Sequence, residues 1–264
     1  MDIVLVGCGN MGFAMLSGWV KAEDALRFHV VDPSEAYRDR AAGVGASVYA
    51  AVEDLPVDLA PSLIILAVKP QMMPEVAPAY ARFENATALS IAAGITIDGL
   101  SNWLSGMAVI RSMPNTPAAI GQGMVVSVSG PGVAREIQGL AERLLSAVGR
   151  HAWVEDEALI DAVTAISGSG PAYVFHMIEC MADAARELGL PDELAETMAL
   201  QTVAGAGALA AGADETPLRL REMVTSPKGT TEAALVVLMG RLGPLVEEAA
   251  TAARDRGRAL GKKE

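Results

Sequence analysis

Three stretches of this sequence carry residue types and spacings that could do chemistry. The first is Gly7-Cys8-Gly9-Asn10-Met11-Gly12. Between a strand and a helix this is the dinucleotide fingerprint: Gly7 for a tight turn, Gly9 for close approach of a pyrophosphate, Gly12 for helix–strand packing. Free N–H groups at the helix start, those of Asn10 and Met11 included, would hold the phosphates. A glycine turn without a ligand has the same pattern, so the flanking elements decide. The other two stretches are Ser167-Gly168-Ser169-Gly170-Pro171-Ala172-Tyr173 and Thr225-Ser226-Pro227-Lys228-Gly229-Thr230-Thr231. Each leads into a helix and offers hydroxyl and N–H groups suited to a carboxylate. Each could equally be an N-cap that only closes its helix. Two such loops beside a nucleotide fold favour a small-molecule substrate site.

Further candidates lie where strands should end. Asp32 closes the second strand, twenty residues beyond Gly12. An acidic residue there bonds the ribose 2′-hydroxyl and favours NADH over NADPH; Asp32 could instead cap the helix that follows. Arg38 and Arg40 fall on that helix, too far along to be counted as cofactor contacts. Ala67-Val68-Lys69-Pro70-Gln71 reaches the carboxyl edge of another strand, where open α/β sheets bind ligands. Lys69 is open to three readings: a catalytic base, a solvated turn lysine, or, as we prefer, part of a backbone edge touching the cofactor. Ala92 and Gly94, within Ser90–Ile95, and Asn115, within Arg111–Ala118, belong to the same edge. Small residues there let a nicotinamide lie flat, and Asn115 could bond its carboxamide.

These sites need a scaffold, and the hydrophobic pattern supplies one. Ile3–Val6, Phe28–Val31, Leu63–Val68, Ala88–Ile91 and Val109–Arg111 are continuous apolar runs, as buried parallel strands require. Met11–Val20, Gln71–Phe83 and Ile97–Leu104 have helical character between them. Gly121–Ser129 and Arg150–Val154 extend the sheet, with Val133–Val148 as the helix between. Residues 1–152 therefore read as a doubly wound, mainly parallel α/β domain of the Rossmann type.

Residues 153–264 change texture and read as an all-α domain, with helices over Ala158–Ile166, Ala172–Leu188, Pro191–Ala211 and Thr231–Arg256 and a frayed tail Arg258–Glu264. Several of these helices are apolar on more than one face. Burying them takes more partners than this half supplies, so it should dimerise.

The chain is 52% hydrophobic and 20% charged, with a net charge of −12. That balance disfavours nucleic acid and anionic membrane surfaces. Apolar runs such as Ala233–Met239 fall short of the roughly 18 residues that span a bilayer. There is no basic segment followed by an apolar leader. The two cysteines, Cys8 and Cys180, have no metal-like spacing. A reduced cytoplasmic protein without a metal is the expectation. The histidines His29, His151 and His176 have no paired carboxylate motif and read as structural.

Four segments carry a family resemblance. Ala67-Val68-Lys69-Pro70-Gln71, Met113-Pro114-Asn115-Thr116-Pro117, Ser167–Tyr173 and Ser226-Pro227-Lys228-Gly229-Thr230-Thr231 resemble the signature segments of pyrroline-5-carboxylate reductases, in family order over nearly the whole chain. The resemblance implies an N-terminal Rossmann domain and a helical domain interlocked in a homodimer, often assembled further, for instance into a decamer. It implies NADPH or NADH as cofactor, with a lean to NADH from Asp32. It places the substrate at the dimer interface, its carboxylate on the Ser226, Gly229, Thr230 and Thr231 loop. Ser167, Ser169 and Val224 would line the site, and Thr231 would approach the ring nitrogen as the catalytic hydroxyl. Lys228 departs from the family, many members having glycine there, and Asp32 departs from members that prefer NADPH.

Related imino-acid reductases and β-hydroxyacid dehydrogenases are the competing enzymes, and a non-catalytic nucleotide sensor is the remote one. The dehydrogenases resemble this chain in architecture but need a lysine acid/base on the first long interdomain helix, and Ala172–Leu188 has none.

Overall fold

The computed structural model describes residues 1–261; the expected fraying of the last three residues lies outside the described residues. In chain order the elements are β1 (Asp2–Val6), α1 (Asn10–Ala22), β2 (Arg27–Val31), α2 (Glu35–Ala42), β3 (Ser47–Tyr49), β4 (Leu63–Leu66), α3 (Met73–Val76), β5 (Thr87–Ser90), α4 (Ile97–Trp103), β6 (Val109–Met113), β7 (Gly123–Ser129), α5 (Arg135–Ser146) and β8 (Gly149–Val154). Helices α6 (Leu159–Val163), α7 (Gly170–Glu187), α8 (Asp192–Gly212), α9 (Pro217–Met223) and α10 (Thr230–Gly261) follow.

The strands form one sheet in the order β3-β2-β1-β4-β5-β6-β7-β8. Every pairing is parallel except β6 with β7. The strand order reverses between β1 and β4, the switch point where such sheets bind nucleotides. Alternate side chains of the central strands go to opposite faces. Val4, Val6, Ile64 and Leu66 pack with α3, α4 and α6, while Ile3, Leu5, Leu63 and Ile65 pack with α1 and α5. Helix α5 shows why it forms: Leu140, Ala141, Leu144 and Leu145 make one buried stripe, partly buried Ile137 packs against the same core, and the remaining residues are polar or Gly139.

Several expectations are corrected. Gln71–Phe83 is not one helix but short 3-10 and α pieces, because Pro70, Pro74 and Pro78 remove successive backbone donors. The strand expected over Leu63–Val68 stops at Leu66. Two short elements, β3 and α9, were too brief to leave a periodic signal. Ala158–Ile166 divides into α6 and a π-helical turn over Thr164–Gly168, so Ser167–Ser169 is not the open loop expected. Helix α10 runs to Gly261, past the point where the tail was expected to fray.

Contacts divide the described residues into two compact units, Met1–Ser169 with the stretch from Ala253 to Gly261, and Gly170–Ala252. In the second unit Ala182, Ala195 and Ala199 are the buried apolar residues among those described, while Phe175, Leu200, Leu209, Val236 and Met239 are exposed. So much uncovered apolar helix surface marks an association face.

In the first unit a polar chain crosses β6, β7 and β8: His151 Nε2 lies 3.0 Å from Ser127 Oγ, which is 2.7 Å from Ser112 Oγ. Burial pushes the His151 pKa below the ordinary histidine value. The stability of neutral His151 is therefore present above the unfolded value of about 6.5 and is lost as pH falls from there through its lower folded pKa. Between about pH 7.5 and about pH 5.5, His151→Gln should lose about 1–3 °C less in Tm than the parent. Equal losses in thermal melts would contradict this.

Candidate active site

The glycine loop sits at the switch point. Gly7, at φ 85°, donates its N–H to Val31 O at 2.9 Å, and a Cβ there would lie 2.9 Å from Val68 Cγ1. A Cβ on Gly12 would run into the Gly7 carbonyl oxygen, so helix α1 can approach the loop this closely only without a side chain. Gly9 is the N-cap of α1, and a Cβ on it would meet nothing within 4 Å. Two crowded glycines thus shape the turn while the third faces open space before a helix N-terminus. A pyrophosphate fits such a cradle.

Asp32 is only 6% exposed, and both its oxygens are already engaged: Oδ2 accepts Cys8 N–H at 2.7 Å and Oδ1 accepts Ser34 N–H at 2.9 Å. Its first role is therefore to tie β2 to the glycine loop. Neither a ribose contact nor a helix cap by itself accounts for the bond to Cys8 N–H. Arg38 and Arg40 lie closer to the loop than their sequence distance suggested. Arg38 Nη1 donates to the Asp32 and Pro33 carbonyls at 2.8 and 2.9 Å. Arg40 donates to the Cys8 carbonyl, its guanidinium 4.5 Å from the ring centres of both Phe13 and Tyr37. These arginines supply positive charge beside the loop of an acidic protein. Nearby, burial raises the Cys8 thiol pKa to about 11, so Cys8 is an inert core group.

Ala67–Pro70 and Ala92–Gly94 follow β4 and β5 at the same carboxyl edge, joined there by Ala67 N–H to Val6 O at 2.8 Å and Ile91 N–H to Leu66 O at 3.2 Å. Lys69 is exposed, while Ala92 and Gly94 are buried, Gly94 at φ 79°. Asn115 is engaged within the protein: Nδ2 donates to Ser167 O at 3.0 Å and Oδ1 accepts Met124 N–H at 2.9 Å. It braces the π-helical turn, leaving one amide N–H for a ligand.

That turn carries Ser167, whose hydroxyl donates to Val163 O at 3.0 Å, and Ser169, whose N–H donates to Thr164 O at 2.8 Å. Single π turns often accompany functional sites. A Cβ on Gly168 would lie 2.7 Å from Met113 Cε, so glycine lets the turn pack on β6.

In the second unit, Thr225 Oγ1 donates to Arg221 O at 2.6 Å and Gly229 N–H to Ser226 O at 3.0 Å. The loop so formed sets Thr230 and Thr231 in the first turn of α10, where N–H groups point outward. Lys228 takes φ 61°, and its N–H donates to Glu232 Oε2 at 2.7 Å. The left-handed backbone explains why glycine suits this position. Lys228→Gly removes about 1 kcal/mol of strain, largely offset by the freer unfolded chain. The exposed charge contributes about 0.2–1 kcal/mol to any anion. Lys228→Gly should therefore keep its Tm and hold KM for the substrate within about fivefold; a larger change in KM would place the ammonium on the substrate.

Two of the histidines have partners of their own: His29 bonds Asp2 at 2.9 Å, and exposed His176 pairs with Glu179 at 3.0 Å. Among the described residues no cluster of His, Cys, Asp or Glu could hold a metal ion, and no helix is long and apolar enough to cross a membrane.

Comparison with known proteins agrees with this layout. The profile of the pyrroline-5-carboxylate reductase dimerisation family matches residues 157–260. That of the NADP oxidoreductase, coenzyme F420-dependent family matches residues 2–94. The pyrroline-5-carboxylate reductase of Pseudomonas aeruginosa is 40% identical over 98% of this chain and 97% of its own. The solved reductase of Coxiella burnetii superposes with a TM-score of 0.90 at 33% identity, covering 98% of this chain and 97% of that one. The Plasmodium falciparum enzyme, solved with NADP bound, gives 0.84 at 27% identity and covers 99% and 98%. With identity running along nearly its whole length, this chain belongs to the pyrroline-5-carboxylate reductase family.

Proposed function

We infer that this protein reduces the C=N bond of 1-pyrroline-5-carboxylate to give L-proline, the last step of proline biosynthesis. The observation that carries this is the 40% identity to a pyrroline-5-carboxylate reductase over 98% of the chain. The glycine cradle at the switch point suits the dinucleotide the reaction needs. The bound reduced nicotinamide supplies the hydride.

The chain's own residues bind and orient. Gly7, Gly9, Asn10, Met11 and Gly12 hold the pyrophosphate, and Ala67, Val68, Lys69, Pro70, Ala92 and Gly94 form the edge along the cofactor. Ser226, Gly229 and Thr230 hold the substrate carboxylate, with Ser167 and Ser169 lining the site. Thr231 donates a hydrogen bond to the ring nitrogen or relays a proton from water. The imine protonates near neutral pH and its iminium is already a strong electrophile. Positioning and exclusion of water then do most of the catalysis, and few acid–base side chains are needed.

Cofactor choice leans to NADH, because anionic Asp32 at the end of β2 opposes a 2′-phosphate. The helical half forms a homodimer that assembles further, up to a decamer, in the cytoplasm. Residues 1–152 serve cofactor binding and residues 153–264 serve substrate binding and dimerisation, the division falling within β8. The bulk of Met113, Val224 and neighbouring side chains decides between the five-membered imine and its six-membered homologue. The absence of lysine from α7 opposes hydroxyacid dehydrogenation.

The test is turnover of both imines with NADH and with NADPH, with chromatographic identification of the product. Proline, faster turnover of the smaller imine and a higher rate with NADH are expected. A preference for the six-membered imine would make this a related imino-acid reductase. Cofactor binding without turnover of either imine would leave a nucleotide sensor.

A further inference from the structure

Strand β6 carries a buried arginine that the roles assigned above do not use. Val109, Arg111 and Met113 share one face of β6, the face covered by α4 and α6. The Arg111 side chain is 5% exposed. Its Nη1 donates to Glu157 Oε1 at 2.8 Å, and Nη2 lies 3.6 Å from Asp161 Oδ1. Glu157 Oε1 also accepts the Ile97 N–H at 2.8 Å. One guanidinium therefore grips, through Glu157, the start of α4 just beyond Ala92–Gly94, and, through Asp161, the helix that leads into the π-helical turn of Ser167. Farther along the same strand direction Met113 packs on Gly168 and Asn115 holds the Ser167 carbonyl.

We propose that Arg111 is a positioning residue for the reduction, a clamp that sets the nicotinamide-side segment Ala92–Ile97 in register with the substrate-side turn Thr164–Ser169. This rests on the cofactor and substrate assignments made under the proposed function. A stability role alone accounts poorly for it. A buried ion pair often contributes little net stability, and Arg111 Nε has no hydrogen-bond partner among the described residues. What the pair does provide is a bridge between two segments distant in sequence, both at the carboxyl edge of the sheet. Misplacement of reacting groups by about 1 Å can cost on the order of a hundredfold in rate.

The test compares Arg111→Met, Glu157→Gln and the double variant with the parent enzyme, whose turnover of pyrroline-5-carboxylate first secures the reaction itself. Glu157→Gln keeps the oxygen that accepts Ile97 N–H. In Arg111→Met, kcat should fall about 10- to 100-fold. The dissociation constant for NADPH should stay near the parent value, because the β1 loop holds the phosphates. Without cofactor, amide exchange at Ile97 should quicken. In the double variant Glu157 no longer carries a charge and Asp161 keeps Arg258 Nε at 3.7 Å, so Tm should recover while kcat stays low. Recovery of kcat together with Tm would overturn the proposal and leave an ordinary structural pair. If Arg111→Met does not fold, Arg111→Lys takes its place: a lysine keeps the charge but lacks the fork that bridges two carboxylates. A folded Arg111→Lys enzyme with parental kcat would also overturn it.

Discussion

Thr231→Ala should lose about ten- to a thousandfold in kcat/KM for the imine, the range for removal of one hydrogen bond made in the transition state. Thr231 lies in the first turn of α10, beyond the loop tied by Thr225 and Gly229. Alanine disturbs none of those bonds, so Tm and NADPH affinity should hold. The loss should be in kcat more than in KM, because a bond to the nitrogen tightens as hydride arrives. Thr231→Ser keeps the hydroxyl and should recover most of the rate. Steady-state kinetics of the three proteins decide the matter; parental kcat/KM in Thr231→Ala would take Thr231 out of the mechanism.

Gly12→Ala should raise the NADPH dissociation constant about 10- to 100-fold and lower Tm. Its methyl would collide with the Gly7 carbonyl, which is backbone and cannot turn aside. Overpacking of this kind costs about 1–3 kcal/mol, and each 1.4 kcal/mol is about tenfold in affinity. Gly9→Ala is the informative contrast. A Cβ there meets no protein atom, so Tm should hold while the methyl blocks the approaching pyrophosphate. Fluorescence titration with NADPH and a thermal melt of each variant separate the two effects. Normal binding by Gly9→Ala would mean the phosphates lie elsewhere.

Much of this was legible in the sequence because it was written in local patterns. Strand β4 and the Ile3–Val6 part of β1 are unbroken apolar runs, β2 is apolar from Phe28 on except for His29, and the glycine spacing announces the turn at the end of β1. Other features depend on partners distant in sequence. Asp32 looked like a ribose ligand or a cap, yet it holds the Cys8 N–H, a bond that exists only once β2 lies beside β1. Asn115 looked like a cofactor contact, yet it reaches Ser167, fifty-two residues on. The Ser167–Ser169 segment looked like a loop from its small residues, whereas α6 and α7 draw it into a π turn. Arg111 carried no signal as a single basic residue ending an apolar strand. Its meaning appears only with Glu157, forty-six residues away. Prolines give a local clue of their own: three of them, four residues apart, preclude a regular helix over Gln71–Phe83.

The central claim is hydride transfer to the ring carbon of pyrroline-5-carboxylate. It is tested most directly with NADH carrying deuterium at both positions of nicotinamide C4. The purified protein should return L-proline with one deuterium, at C5, as read by mass spectrometry and NMR. Proline without deuterium, or deuterated cofactor left unoxidised by folded protein, would contradict it.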